Sequence, residues 1–145
     1  MATTFKEIYP LFLAQIDDYE FGSILKEELE FIMQGYLINS LLTIQETLTD
    51  VYDIDIENKQ FNVDLEFAEK LLIAKAMKLE WIREKKYSEE LMRKDIGDRD
   101  YKSVQGTEYL ESLTMVEKEL KREIRNELMK HAYSSRDKFG GLLNG

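Results

Sequence analysis

The chain has no cysteine, one proline, one histidine and one tryptophan in 145 residues. Without cysteine there is no disulfide framework, no thiolate metal ligand and no cysteine nucleophile. The single imidazole, His131, leaves little room for catalysis that needs a base beside a serine. Bases are scarce in one half of the chain. Residues 1–64 hold 13 acids against Lys6, Lys26 and Lys59, a net −10, whereas residues 65–145 hold 16 acids and 17 bases, a net +1. The whole-chain charge of −9 therefore belongs to the first half, which contains no arginine at all. Such a balance argues against holding DNA or an anionic membrane by neutralising phosphates. Long apolar runs are missing too. The most apolar stretch, Leu71 to Ile82, is interrupted by Lys75, Lys78 and Glu80 and falls short of the about 20 residues a membrane span needs. Met1 to Thr4 carries no basic region of the signal-peptide kind, so an intracellular, soluble location is expected.

What is present reads as one folded domain, with 43% hydrophobic and 34% charged residues. Thr4 and Glu7 form a T-x-x-E capping box ahead of Phe5, Ile8, Leu11, Phe12 and Ile16 at helical spacing, and Pro10 is expected to end or kink that segment. Ser23 can cap a longer helix to about Leu48, with Leu25, Leu29, Ile32, Tyr36 and Ile44 as its core stripe and Gly35 as a point of close backbone packing or a kink. From Val51 to Val63 the period shortens. Ile54 and Ile56 alternate with Asp53, Asp55 and Glu57, which suits a small acidic hairpin or extended loop. Asp64 caps a helix to about residue 86 whose two adjacent apolar rows make it central, and Ser88 begins a short helix closing at Gly97. Asp98 to Gly106 reads as a charged loop, and Thr107 to about Tyr133 as an amphipathic helix. The expected fold is all-α: a helical bundle of about four to five helices over residues 1–133, with the hairpin near 51–63 and a flexible C-terminal arm over 134–145.

Two constellations resemble metal sites and are better read otherwise. Glu123, Glu127 and His131 share a helical ridge, but a di-iron bundle needs Glu-x-x-His on each of two helices. Asp53, Asp55, Glu57 and Asp64 fall at positions 1, 3, 5 and 12 of a calcium loop, but Asn58 occupies the position that requires glycine. No phosphate-binding glycine loop and no nucleophile elbow occurs, so neither catalytic nor cofactor-binding residues are assigned and a non-enzymatic role is expected. The C-terminal segment sets Phe139, Leu142 and Leu143 beside Arg136 and Lys138 on glycines, a pattern suited to docking into a partner's groove.

The order of segments adds a resemblance. The Y-P-L-F-L-A-Q-I-D-D-Y start (Tyr9 to Tyr19), the A-K-A-M-K-L-E-W-I helix (Ala74 to Ile82), the D-I-G-D-R-D-Y-K-S-V-Q-G loop (Asp95 to Gly106) and the H-A-Y-S end (His131 to Ser134) together resemble the head-to-tail connector, or adaptor, proteins of tailed bacteriophages. That resemblance implies a helical subunit of a virion neck, assembled in the host cytoplasm into a homo-oligomeric, dodecameric ring between the portal and the next neck or tail protein. Genome DNA would pass through the ring without tight binding, and no cofactor or membrane is implied. It also implies that the arm residues Arg136, Lys138, Phe139, Leu142 and Leu143 reach into the portal.

Physical reasoning extends the picture. DNA carries one negative charge per about 1.7 Å of axis, so an acidic wall repels it and stays slippery. The acids Glu46, Asp50, Asp53, Asp55 and Glu57 are thus candidates for a channel surface, and Arg93, Arg99 and Arg122 for subunit contacts in the charge-balanced half. The rival reading is a small acidic regulator or DNA mimic that binds a host nucleic-acid-binding protein through carboxylates spaced like phosphates.

Overall fold

The computed structural model describes residues 2–16, 21–22, 24–44 and 53–144, without the side chains of residues 134–144. A 3-10 turn at Phe5–Glu7 leads into α1 (Tyr9–Leu13), followed by α2 (Lys26–Ile44), β1 (Ile54–Asp55), β2 (Gln60–Phe61), α3 (Phe67–Ile96), α4 (Asp98–Ser103) and α5 (Gly106–Asn144). The protein is an all-α bundle with one two-stranded hairpin.

The N-terminal capping box forms as the sequence predicts, with the Thr4 amide donating to Glu7 Oε2 at 2.7 Å. That contact, with Lys70 at 3.2 Å, holds the Glu7 carboxyl below the usual glutamate range. Pro10 sits in the first turn of α1 and so starts a helix rather than ending one; its missing N–H is one that no helix uses there. The extended residues before the turn join the hairpin. Phe61 donates its amide to the Thr3 carbonyl at 2.7 Å, and Phe5 to Lys59 at 2.9 Å. The buried Thr3 hydroxyl accepts the Leu65 amide at 2.8 Å, which fastens the chain's start to the approach of α3. Phe5 and Phe61 then meet edge to face at 5.3 Å between ring centres.

The two apolar rows of α3 do make it central. Ile73, Ala74, Ala76 and Met77 are fully buried, and α1, α2, α4 and α5 all pack against this helix. Its start lies at Glu66 rather than Asp64, where a second capping box pairs the Glu66 amide with Glu69 at 3.1 Å. The expected break near residue 86 is absent. Lys85, Lys86, Tyr87 and Ser88 continue the helix to Gly97, whose φ of +91° ends it as glycine allows. Beyond Ile82 the helix has no fully buried residue, so its last turns form an arm with α4 and the start of α5.

That arm has a small core of its own. The expected loop at 98–106 contains α4, whose Tyr101 is 1% exposed and donates its hydroxyl to Glu89 Oε2 at 2.7 Å. Burial and the Glu89 carboxylate push this phenol up to about 12. Gly106 lies against the same ring, and a β-carbon there would come within 2.5 Å of it. α5 begins at that glycine and is helical to Asn144, past the end that the spacing predicts near Tyr133. Its Leu113, Leu120 and Ile124 are buried along one side, as the expected amphipathic helix requires, and Val116 between them is exposed.

The stripe expected on α2 holds in the main, with Tyr36 and Ile44 buried and Leu29 and Ile32 half-buried against the core, while Leu25, just before the helix, is 71% exposed. Met33, Leu37, Ser40 and Leu41 are buried as well, and Phe31 is 78% exposed. At Gly35 nothing lies within 4 Å of where a β-carbon would stand, so no second backbone packs there.

Two substitutions test these assignments. Gly35→Ala, in an exposed helix interior, should raise stability to urea by about 0.5–1 kcal/mol. Gly106→Ala forces the immobile Tyr101 ring to move and should cost about 1–3 kcal/mol in the same measurement; equal stability would show that the turn between α4 and α5 is not closely packed.

Candidate functional site

The sequence-derived surfaces separate once the helices are in place. Asp53, Asp55 and Glu57 gather on the hairpin, where Ile54 faces Phe61 and turns inward while the acids turn outward. Each of the first two is held by an asparagine. Asp53 Oδ1 accepts from Asn62 Nδ2 at 2.8 Å, and Asp55 accepts from the Asn58 amide at 3.1 Å and its side chain at 2.7 Å. These donors lower the Asp55 pKa. The Asp53 and Asp55 carboxylates are spent on shaping the turn, and among the described residues no group of His, Asp and Glu could hold a metal ion. Lys59, at φ +53°, closes the turn. Glu46 and Asp50 lie outside the described residues.

The ridge of Glu123, Glu127 and His131 is resolved by a partner that the single-helix reading could not supply. Lys75 of α3 donates to Glu123 at 2.7 Å and to Glu127, with both contacts across the α3–α5 seam. Burial draws the Lys75 pKa down and the two carboxylates more than compensate, so it stands above the ordinary lysine value. A lysine so held is a structural cation and not a nucleophile or a base. Lys86 similarly reaches Glu117 at 3.6 Å, and Lys121, one turn further along α5, reaches the same carboxylate at 3.4 Å. A cavity of about 360 Å³ opens beside this seam, with Lys75, Glu127, Lys130 and His131 on its polar side and Leu71 and Leu72 on its apolar side.

The three arginines proposed for subunit contacts do not form one patch. Arg93 donates from Nε to Asp98 at 2.7 Å, clasping the turn between α3 and α4. Arg99 is exposed on α4 at the same end. Arg122 is exposed on α5, about 24 Å along that helix from Gly106. The arm residues Arg136, Lys138, Phe139, Leu142 and Leu143 have no described side chains.

Sequence reasoning missed the outward apolar positions. Leu25 just before α2, Phe31 and Leu42 on it, Leu91, Met92 and Ile96 in the last turns of α3, Val104 after α4, and Met115 and Met129 on α5 are all exposed. On α2 the signal was available: Phe31, Gly35, Ile38 and Leu42 recur at helical spacing on a face opposite Met33, Leu37 and Ile44. The expected stripe through Leu29, Ile32, Tyr36 and Ile44 took the core side and passed over this second row.

Alkaline titration checks the seam and the buried phenols together. Tyr9, by burial beside Glu30, and Tyr101 both titrate at about 12 instead of 10.0, and Lys75 lies above 10.5. Groups whose folded pKa is raised lose their stabilising effect as pH climbs from the unfolded value toward the folded one. Stability should therefore fall between pH ~10 and ~12, and Tyr9→Phe and Tyr101→Phe should flatten that fall in circular-dichroism melts. Lys75→Met should cost about 1 kcal/mol at neutral pH by leaving Glu123 and Glu127 facing each other.

No helix among the described residues is long and apolar enough to cross a membrane. No family model, curated protein or solved structure matches the chain.

Proposed function

We propose that this chain is a head-to-tail connector subunit of a tailed bacteriophage, assembling into a ring beneath the portal that links head to tail and conducts genome DNA. The observation that carries the reading is the spread of exposed apolar side chains over three separate regions of a small helical protein: the outward face of α2, the α3–α4 turn and the outer side of α5. Contiguous exposed apolar patches on a folded domain mark interaction sites. A ring subunit stacked between two other proteins needs contacts to neighbours on either side and to layers above and below, and head-to-tail ring closure needs two different patches on each subunit.

In this reading residues 134–145 engage the portal through Arg136, Lys138, Phe139, Leu142 and Leu143, the α3–α4 arm faces the next neck or tail protein, and the acidic hairpin borders the DNA path. No catalytic residue or cofactor takes part, and the protein's place is the virion neck after assembly in the host cytoplasm. The acidic first half supports equally a regulator or DNA mimic, from which the connector differs in assembly.

Native mass spectrometry of the full chain, alone and with its cognate portal, tests the choice. A connector forms or joins a ring of high order, and removing residues 134–145 abolishes portal binding. A monomer or dimer that ignores the portal and binds a nucleic-acid-binding protein would establish the rival.

A further inference from the structure

Two exposed helix faces match each other in spacing, length and charge. On α2 the positions 28, 31, 35, 38 and 42, spaced 3-4-3-4, are Glu28, Phe31, Gly35, Ile38 and Leu42; all but the half-buried Ile38 are exposed. On α5 the positions 115, 118, 122, 125 and 129 repeat the same spacing as Met115, Lys118, Arg122, Arg125 and Met129, every one exposed. Each seam spans about 21 Å. A 3-4 repeat is the pattern with which one helix lays side chains into the grooves of another.

The two faces point away from α3, because α2 and α5 each pack chiefly on that helix with their Met33–Leu37–Ile44 and Leu120–Ile124 sides, although Thr43 and Arg125 border one groove with Leu79 and Arg83. Neither seam can therefore close on the other within one chain. Their charges are complementary. The α2 seam begins at Glu28, with Glu27 and Glu30 beside it, and no base follows Lys26 before Lys59. Three acids of α5 are drawn to lysines, Glu117 to Lys86 and Glu123 and Glu127 to Lys75, which leaves Lys118, Arg122 and Arg125 on an outward seam that contains no acid. Glu119 lies on its flank.

We propose that the α2 seam of one subunit docks onto the α5 seam of a second copy, a head-to-tail contact whose repetition closes the ring. The open space at Gly35 admits the stem of Arg122 at the centre of the contact, with Phe31 and Leu42 packing on either side of it against the neighbouring basic stems and the methionines. Pairing α5 with itself is disfavoured, since an antiparallel arrangement sets Arg122 against Arg122. The inference rests on the ring reading above and adds to it the identity of the two faces.

The absence of cysteine makes the test direct. Asn39→Cys, on the exposed α2 face, is combined in turn with Met115→Cys and with Met129→Cys, the two ends of the α5 seam, so that either helix direction is covered. A short bismaleimide should convert at least one double variant into a ladder of covalent oligomers beyond the dimer, with no dimer from any single variant. Independently, Phe31→Glu and Arg122→Glu, both exposed and expected to keep full helicity, should each lower the oligomeric fraction about tenfold. Dimers from Asn39→Cys alone, or no intermolecular product from protein that native mass shows to be a ring, overturn the α2–α5 contact while leaving the ring itself intact. Wild-type protein that stays monomeric with and without portal overturns both.

Discussion

One helix has to be covered on several sides at once, and the rest of the protein is arranged to do so. α3 carries its apolar residues in two adjacent rows, and the side chains at the centre of the bundle, Ala74 and Ala76, are small and fully buried. Alanine lets neighbouring helices approach closely while adding little side-chain entropy loss, so α2 and α5 can both lie against the same stretch. Too narrow to cover all of α3 alone, they leave its hairpin end to α1 and the N-terminal turn. Thr3 joins that layer to α3 by accepting the Leu65 amide, and Phe5 and Phe61 fill the space between.

This arrangement explains which parts of the fold were legible in the sequence. Signals confined to a few residues carried through: the Thr4–Glu7 box, the acidic hairpin, Gly97 as a helix end and the α5 stripe. Signals that depend on tertiary cover did not. Ser88 satisfies the rules for an N-cap, yet a serine within a run of lysine and glutamate is tolerated in a helix interior, and α3 runs through it to the Glu89 that accepts the Tyr101 hydroxyl. On α2 the stripe through Tyr36 and Ile44 found the core side, but Met33, Leu37 and Leu41 join it only because α3 lies against them. Among the site residues the outcome was similar. Asp53, Asp55 and Glu57 lie on the hairpin that the alternation marked, whereas Glu123, Glu127 and His131 looked like a possible ligand set because their partner, Lys75, lies 48 positions away from Glu123 in the chain.

Charge segregation follows from the same geometry. Lysines on α3 draw acids of α5 toward the seam, which neutralises them at modest energetic effect, since such partly exposed pairs contribute little each. The larger effect is on the outward side, where what remains is basic on α5 and acidic on α2. Ion pairs that do little for folding can in this way determine what the exposed surface offers to a neighbour.

The unbroken α3 also has a mechanical consequence. Thirty residues of helix form a rod of about 45 Å, capped at one end by Glu66 beside the hairpin and at the other by Gly97 beside α4. Every hydrogen bond along it lies parallel to its axis, and Tyr101 braces its far end through Glu89. A push or pull applied at the α4 turn is therefore delivered to the hairpin and the N-terminal turn with little loss to bending, so the two ends of the molecule behave as the ends of a strut.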